Sequence, residues 1–213
     1  MNTESKIETH KIMSMDQKKR KRILNAAMSE FSKGFKLAST DLIARESGVS
    51  KGLLFHYFQT KKGLYDFILD YTIETVVNEF SLLLHSEGND LLEHIWQMSL
   101  LKRELCSQYP DIFEFLTASY YQIADDPKSG FAVRYTQLQE EIYSLLYEKV
   151  DESLLKDGIN KIMAANIIRW TLDGLSKKNT HEKRSFWQMN EDFDIYLEET
   201  KAYLDLLRQL LYR

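Results

Sequence analysis

The sequence predicts an all-α protein, and two observations carry that prediction. The chain of 213 residues contains only 8 glycines and 2 prolines, so long segments run without a helix breaker. Apolar residues recur at intervals of three and four along most of the chain, which is the period of an amphipathic helix. No segment is assigned to a strand, so we expect helices packed on helices and no sheet.

The N-terminal part begins with one amphipathic helix. Ser14 and Gln17 have the spacing of a capping box, which places the helix start near them. Gly34 follows as the residue expected to end the helix. The face that this helix should bury is formed by Ile23, Leu24, Ala27, Met28 and Phe31.

Two short helices are predicted next, over 39–46 and 51–57, on either side of Gly48. Gly48 can adopt the left-handed conformation that a sharp turn requires, and the apolar Val49 can fill the angle between the helices. Leu54 and Phe58 can lie buried under the second helix. The side chains left to point outward are Lys51, Leu53, His56 and Tyr57. This arrangement is a helix-turn-helix, whose second helix can enter the major groove of DNA.

The rest of the chain continues as longer helices. Thr60 can cap a long helix that meets no breaker from 64 to 87. Further helices are predicted over 89–108, 110–124, 131–150, 159–177 and 191–212. The polar stretch 178–190 is interpreted as a loop.

Composition excludes several classes of protein. No apolar run exceeds four residues, whereas a transmembrane helix needs about 20. Residues 1–17 contain no apolar signal-peptide core, so nothing points to export. The single Cys106 excludes an intramolecular disulfide and a metal cluster of several cysteines. We therefore expect a cytoplasmic protein.

Charge is divided unevenly along the chain. Residues 1–62 have a net charge of +7 and residues 63–213 a net charge of −11, which together give −4. The densest basic run, KKRKR, occupies 18–22. This run favours a polyanion as partner, although part of it can be only a solvated helix face.

The identity and order of residues 22–69 are more informative about function than their periodicity. The segment contains, in order, Arg22-Ile23-Leu24-x-Ala26-Ala27, Phe31, Gly34-Phe35, Ile43-Ala44, Gly48-Val49-Ser50-Lys51-Gly52, Leu54-Phe55-x-Tyr57-Phe58 and Lys61-x-x-Leu64. This segment resembles the DNA-binding domain of the TetR family of bacterial transcriptional regulators. The resemblance implies an all-helical, two-domain homodimer that binds an operator with one domain and a small effector with the other.

Domain bounds follow from that resemblance. We expect a flexible tail over 1–13, the DNA-binding domain over 14–62 and an effector-binding and dimerisation domain over 63–213. The family usually has threonine where this chain has Ala38, so Ser39 or Thr40 is expected to contact phosphate. The predicted DNA contacts are Ser39, Thr40, Ser50, Lys51, Gly52, Leu53, Phe55, His56, Tyr57 and Lys61.

The larger domain offers candidates for an apolar effector pocket, although each of them is equally a core residue by its spacing. These candidates are Trp96, Met98, Cys106, Phe113, Tyr120, Tyr121, Tyr143 and Trp170. The last two helices are each apolar on two sides, which predicts one side against the protein's own core and one against a second subunit. In the last helix the strips are Phe193, Leu197, Thr200, Leu204, Leu207 and Leu211, and Tyr196, Tyr203, Leu206 and Leu210.

The functional prediction is a homodimeric repressor that binds a palindromic operator and responds to a small apolar or amphipathic effector. No catalytic residue, metal ligand or cofactor site is predicted, because the chain lacks a phosphate-binding glycine loop and the hydrolase and zinc motifs. Two alternatives remain open at this point. One is a helical DNA-binding or interaction protein without effector control, and the other is an enzyme on a helical scaffold.

Overall fold

A computed structural model describes residues 12, 14–84, 88, 90–123, 144, 147–148, 150–182 and 190–213. These residues form helices in the order that the sequence predicts, and the all-α class is confirmed. The chain divides into two compact units. The first unit comprises Met1–Val76 and Gln108–Ala132, and the second comprises Val77–Ser107 and Val133–Arg213.

The helices are named here in chain order. They are α1 (Gln17–Ser32), α2 (Thr40–Ser47), α3 (Lys51–Phe58), α4 (Lys61–Leu84), α5 (Leu91–Gln108), α6 (Ile112–Ile123), α7 (Lys161–Glu182) and α8 (Asn190–Leu211), with a 3₁₀ turn over Glu152–Leu154 before α7. Most of the predicted helix over 131–150 lies outside the described residues, as does most of the tail over 1–13.

The core of the first unit is built on Phe31 of α1, which is fully buried. Its ring meets the ring of Tyr65 of α4 edge to face, with centroids 5.1 Å apart, and lies 6.4 Å from the ring of Phe115 of α6. The predicted face of α1 is buried as expected, from Ile23 to Phe31. Three helices are therefore fixed to one another through a single aromatic side chain and its neighbours.

The start of α1 differs from the prediction. Asp16 precedes the first helical residue, and its Oδ1 accepts a hydrogen bond from the Lys19 amide at 2.9 Å. The capping box assigned to Ser14 and Gln17 was wrong, because Gln17 is itself the first residue of the helix. Asp16 has the same chemistry as a cap, but it stands two residues further along the chain.

The second unit packs α5, α7 and α8 around a shared apolar core. Its buried members include Leu92 and Ile95 from α5, Ala164 and Ile168 from α7, and Leu204, Leu207 and Leu211 from α8. Backbone hydrogen bonds join the end of α8 to the segment before α7. The Lys156 amide donates to the Leu211 carbonyl at 2.9 Å, and the Arg213 amide donates to the Leu154 carbonyl at 3.0 Å.

The interpretation of 178–190 as a loop was wrong for its first residues. Helix α7 continues to Glu182, and α8 already begins at Asn190. No glycine or proline interrupts 178–182, so the polar composition of this segment does not end the helix. The ammonium group of Lys178 lies 2.8 Å from a carboxylate oxygen of Glu199 on α8.

Helices α7 and α8 each have two apolar sides, and these sides have different environments. The strip from Phe193 to Leu211 on α8 is buried in the unit's own core. The other strip is largely exposed, and in α7 the corresponding side chains are exposed as well. The exposed set is Met163, Ile167 and Trp170 on α7 and Tyr203, Leu206 and Leu210 on α8. None of the helices in the described part of the chain is long and apolar enough to cross a membrane.

A pair of glycine substitutions tests the turn between α2 and α3. Gly48 has φ of +68°, whereas Gly52 lies within α3 with open space where a Cβ would stand. Gly48→Ala should lower the free energy of unfolding by about 1–2 kcal/mol, because an L-residue is strained in the left-handed region. Gly52→Ala should raise it by about 0.5–1 kcal/mol, since alanine loses less backbone entropy in a helix. Urea denaturation of both variants makes the comparison, and equal effects would contradict the assigned turn.

Candidate nucleic-acid interface

The support helix α2 is fixed at its start by two side chains. Ser39 caps it, with its Oγ accepting a hydrogen bond from the Leu42 amide at 3.3 Å. The Ser39 amide in turn donates to Oε2 of Glu30, a residue of α1, at 3.1 Å. Glu30 is buried and also pairs with the ammonium group of Lys33. The carboxylate of Glu30 therefore ties the start of α2 to α1.

Glu30 is ionised more readily than an ordinary glutamate. Burial raises the pKa of its carboxyl, but the hydrogen bonds from Lys33 and from the Ser39 amide, together with the positive charges of Lys33 and Arg45, lower it further than burial raises it. The net pKa lies below its usual value. A buried carboxylate with such donors favours the folded arrangement only while it is charged.

Helix α3 begins at Lys51, three residues after the turn at Gly48. Ser50 caps it, and its Oγ accepts a hydrogen bond from the Leu53 amide at 3.1 Å. Leu54 and Phe58 are buried beneath the helix, as predicted. Thr60 caps the next helix by accepting a hydrogen bond from the Gly63 amide at 2.9 Å. Side-chain caps therefore fix the start of α3 and the start of the helix that follows it.

The predicted DNA contacts fall into two groups by exposure. Ser50, Lys51, Gly52 and His56 are exposed, whereas Ser39, Thr40, Leu53, Phe55, Tyr57 and Lys61 are half-buried. They lie on α3 and at the starts of α2 and α4, so the fold brings them into one region of the first unit. Their contact with DNA stays a prediction.

Lys51 has a partner that the sequence did not indicate. Its ammonium nitrogen lies 2.8 Å from Oδ1 and 3.0 Å from Oδ2 of Asp41 in the first turn of α2. The side chains are 52% and 71% exposed respectively, so the pair contributes little to stability. The same ammonium group lies 6.0 Å from the ring centre of Phe55. The charge of Lys51 is therefore available at the surface but is matched by one carboxylate.

Lys61 is held against the neighbouring turn. Its ammonium group lies 5.0 Å from the ring centre of Phe35 and donates to the Lys36 carbonyl at 3.4 Å. A cation over an aromatic face keeps its charge while the stem is packed. Lys61 therefore has a structural role as well as the predicted contact with phosphate.

The basic run over 18–22 is also divided between two roles. The ammonium group of Lys21 lies 5.7 Å from the ring centre of Tyr109. The guanidinium carbon of Arg22 lies 3.9 Å from the position that a Cβ on Gly48 would occupy, so this side chain lies against the turn between α2 and α3. Lys18, Lys21 and Arg22 are exposed. Part of the run therefore packs on the fold and part of its charge faces solvent.

The second unit contains an apolar cavity of about 170 Å³ between α5 and α7. Its walls are Leu91, Ile95, Met98, Tyr147, Ala165, Ile168, Arg169, Leu172 and Asp173. Of the predicted effector contacts that the structure describes, Met98 alone lines this cavity. The walls are mainly aliphatic, whereas most of the predicted effector contacts are aromatic.

The other predicted effector contacts are dispersed. Cys106 is buried and Phe113 is half-buried, whereas Tyr120, Tyr121 and Trp170 are exposed. The Trp96 ring has the ammonium group of Lys201 at 5.6 Å from its centre. Tyr143 lies outside the described residues. Within the described ranges, no group of three or more His, Cys, Asp or Glu residues is placed to hold a metal ion.

Sequence reasoning missed Glu30 and Asp41. Glu30 stands three residues after Ala27 and seven after Ile23, on the buried face of α1, so a charged residue at an apolar position was a usable signal. Asp41 gave none, because it is ten residues from Lys51 and the two meet only when α2 and α3 pack.

Comparison with known proteins finds a family match within the N-terminal helices of the first unit. Residues 23–67 match the sequence profile of the bacterial regulatory proteins of the tetR family. The nucleoid occlusion factor SlmA of Edwardsiella ictaluri is 26% identical over 133 residues, which are 62% of this chain and 65% of that protein. The chain thus spans slightly less than two thirds of the length of this relative.

Solved structures show the same fold. The ketosteroid transcriptional regulator KstR2 of Mycobacterium tuberculosis superposes with a TM-score of 0.61 at 15% identity, over 90% of this chain and 93% of that chain. A TetR family transcriptional regulator from Chloroflexus aurantiacus superposes with a TM-score of 0.56 at 16% identity, over 96% and 98% of the two chains. At these identities the likeness concerns the fold alone.

The role of the Glu30 carboxylate can be tested by its pH dependence. Glu30→Gln keeps the shape but removes the charge, and it should lower the free energy of unfolding at pH 7 by about 1.5–3 kcal/mol. Because the folded-state pKa is depressed, the wild type has this stability in full above the unfolded-state pKa, near 4.3, and loses it as pH falls through the folded-state value.

Chemical denaturation at pH 7 and pH 3 should therefore show a difference between wild type and variant that narrows in acid. Glu46→Gln is the control, since its carboxylate is exposed and pairs with the adjacent Arg45. A pH-independent difference for Glu30→Gln would show that its charge is not what stabilises the start of α2.

Proposed function

We propose that this chain is a regulator of the TetR family, since residues 23–67 match that family's model, and that it acts as a homodimeric repressor on a palindromic operator. Proteins of this family regulate transcription and are not enzymes. The observation that carries the proposal is the capped, surface-exposed helix α3 behind the left-handed turn at Gly48. A regulator of this kind acts on the chromosome, which implies a cytoplasmic location.

The proposed DNA interface places α3 in the major groove. Lys51 and His56 then face base edges and phosphates, whereas Leu53 can contact a thymine methyl group. The starts of α2 and α4 lie on the backbone, with Ser39 or Thr40 at one side and Lys61 at the other. The positive charge of residues 1–62 supports this assignment, because phosphate neutralisation supplies most of the affinity for DNA.

The dimer is proposed to form through the exposed strips of α7 and α8. On α7 the exposed strip lies roughly opposite the buried side, and on α8 it lies about 100° around the helix from the buried strip. An exposed apolar patch of this kind marks an interaction surface. Two identical strips packed on each other form a four-helix interface with twofold symmetry. The paired recognition helices would then meet half-sites about 34–36 Å apart.

An effector is proposed to bind in the second unit and to change DNA affinity. It can do so only by having different affinities for the DNA-binding and non-binding arrangements, and operator DNA must alter effector affinity by the same factor. Helix α4 supports such coupling, because its first part belongs to the first unit and its last turns belong to the second.

A second candidate function comes from the named relatives. The match to SlmA runs over 133 residues and therefore includes residues outside the DNA-binding domain. A nucleoid occlusion factor without small-molecule control is accordingly the alternative. An operator affinity that responds to a small molecule bound in the second unit would favour the repressor over this alternative.

The DNA interface is tested with Lys51. Lys51→Ala should weaken operator binding by about 1–3 kcal/mol and relax preference at the contacted base pair. Asp41→Asn should strengthen binding to any DNA, because it removes the carboxylate that competes for Lys51 and repels phosphate. Fluorescence anisotropy titrations with an operator selected from random DNA and with a scrambled duplex measure both effects.

The matched control is the pair Lys201 and Asp205 on α8, which are also exposed and joined at 2.8 Å. Lys201→Ala and Asp205→Asn should leave DNA affinity unchanged. Operator affinity that is equal in wild type and Lys51→Ala would exclude Lys51 from the interface. Equal affinity of the wild type for operator and scrambled DNA would overturn the proposal of a specific repressor.

The dimer is tested with one substitution inside the exposed strip and one outside it. Ile167→Glu lies in the strip and should yield monomers, because a charge would be buried in the interface. Ile162→Glu is the control, since Ile162 is 62% exposed but is about 100° around α7 from the adjacent Met163 of the strip. Light scattering at micromolar concentration measures the mass. A monomeric wild type, or a dimeric Ile167→Glu variant, would contradict the proposed interface.

A further inference from the structure

The cavity of the second unit lies between two helices, with Tyr147 as a further part of its wall. Leu91, Ile95 and Met98 of α5 form one wall, and Ala165, Ile168 and Leu172 of α7 form the facing wall. Ala165 and Ile168 are themselves part of the buried core. Ala165 is small, whereas the other aliphatic residues of the wall are large. A larger side chain at position 165 would fill part of the cavity.

The volume of about 170 Å³ limits the size of an occupant. An apolar cavity of about 150 Å³ in a protein remains dry and takes up benzene. The cavity here therefore has room for one six-membered ring with a small substituent. A fused polycyclic or long-chain molecule exceeds this volume.

The charged residues at the cavity argue for an uncharged occupant. Arg169 and Asp173 lie four residues apart on α7, which places them on the same side of that helix, and both are half-buried. An anion would be attracted by Arg169 and repelled by Asp173. A cation would be attracted by Asp173 and repelled by Arg169. In either case the occupant would lose its hydration in a largely aliphatic space.

One polar group in the wall is already oriented. The Tyr147 hydroxyl donates to Oδ1 of Asn166 at 2.7 Å, so its hydrogen is engaged and its oxygen can still accept a hydrogen bond. A small hydroxyl on the occupant can use this acceptor.

We propose that this cavity binds a compact, uncharged, monocyclic molecule with at most one small polar group, of the chemical class of benzyl alcohol. That this molecule acts as the effector rests on the proposed function, whereas its binding in the cavity does not.

The test uses the full-length protein and four probes with one skeleton. Benzyl alcohol, benzoate and benzylammonium have similar size and differ in charge, and 4-phenylbenzyl alcohol keeps the neutral group but adds a ring. Calorimetric titration and thermal denaturation should show saturable binding of benzyl alcohol, with the two ions at least tenfold weaker and the two-ring probe not bound. Equal or tighter binding of an ion, or binding of the two-ring probe, would overturn the proposed class.

Substitutions in the cavity wall test whether the ligand binds in this cavity. Ala165→Leu should weaken benzyl alcohol binding at least tenfold by filling the space, while Ala202→Leu, at an exposed position of α8, should have no effect. Leu172→Ala should enlarge the cavity and admit 4-phenylbenzyl alcohol, and it serves as the test if Ala165→Leu does not fold. Binding that neither Ala165→Leu nor Leu172→Ala alters would show that the ligand lies elsewhere and overturn the proposal.

A separate measurement distinguishes binding from regulation. Operator affinity is titrated with and without saturating benzyl alcohol. A change of fivefold or more supports the cavity as the effector site. Binding to the cavity with unchanged operator affinity supports the ligand class and overturns the effector role, so the two claims fail independently.

Discussion

The arrangement of the DNA-binding helices depends on the buried ring of Phe31. It contacts Tyr65 of α4 and Phe115 of α6, whose rings also lie 5.7 Å apart at a nearly perpendicular angle. Edge-to-face pairs of this kind each contribute about 0.5–1.5 kcal/mol beyond the burial of their area. Because α1, α4 and α6 meet here, the two short helices that follow α1 are positioned against a fixed base. Glu30, the residue before Phe31, then fixes the start of α2.

Local rules were sufficient for much of this unit and failed where two distant segments meet. Gly48, Ser50 and Thr60 act within a few residues of their partners, so their roles could be predicted from turn and capping preferences. The ion pair between Lys51 and Asp41 could not, since it joins two helices whose packing angle is set by the turn between them. The buried Glu30 gave a partial signal, because a charge occupied an apolar position, but its partner Ser39 did not follow from periodicity.

The proposed effector cavity could not be found from the sequence for a different reason. Periodicity finds residues that face inward but cannot separate a packed core from the wall of a cavity, since both are apolar. The prediction therefore favoured aromatic residues, such as Trp170, which is 61% exposed. The cavity exists because Ala165 is small where its neighbours Ile168 and Leu172 are large. A missing volume of this kind depends on which residues of α5 face α7, and only the three-dimensional packing supplies that information.

Helix α7 links the cavity to the exposed strip by its geometry alone. At about 100° per residue, Ala165 and Leu172 point to one side of the helix and Met163, Ile167 and Trp170 to the opposite side. Close-packed protein interiors transmit strain, so a displacement of one face of α7 is passed to its other face. An occupant that shifts α7 away from α5 therefore also shifts the strip through which two subunits are proposed to pack. In the proposed dimer both half-sites are bound at once, so a change in that packing would alter DNA affinity without any contact between ligand and DNA.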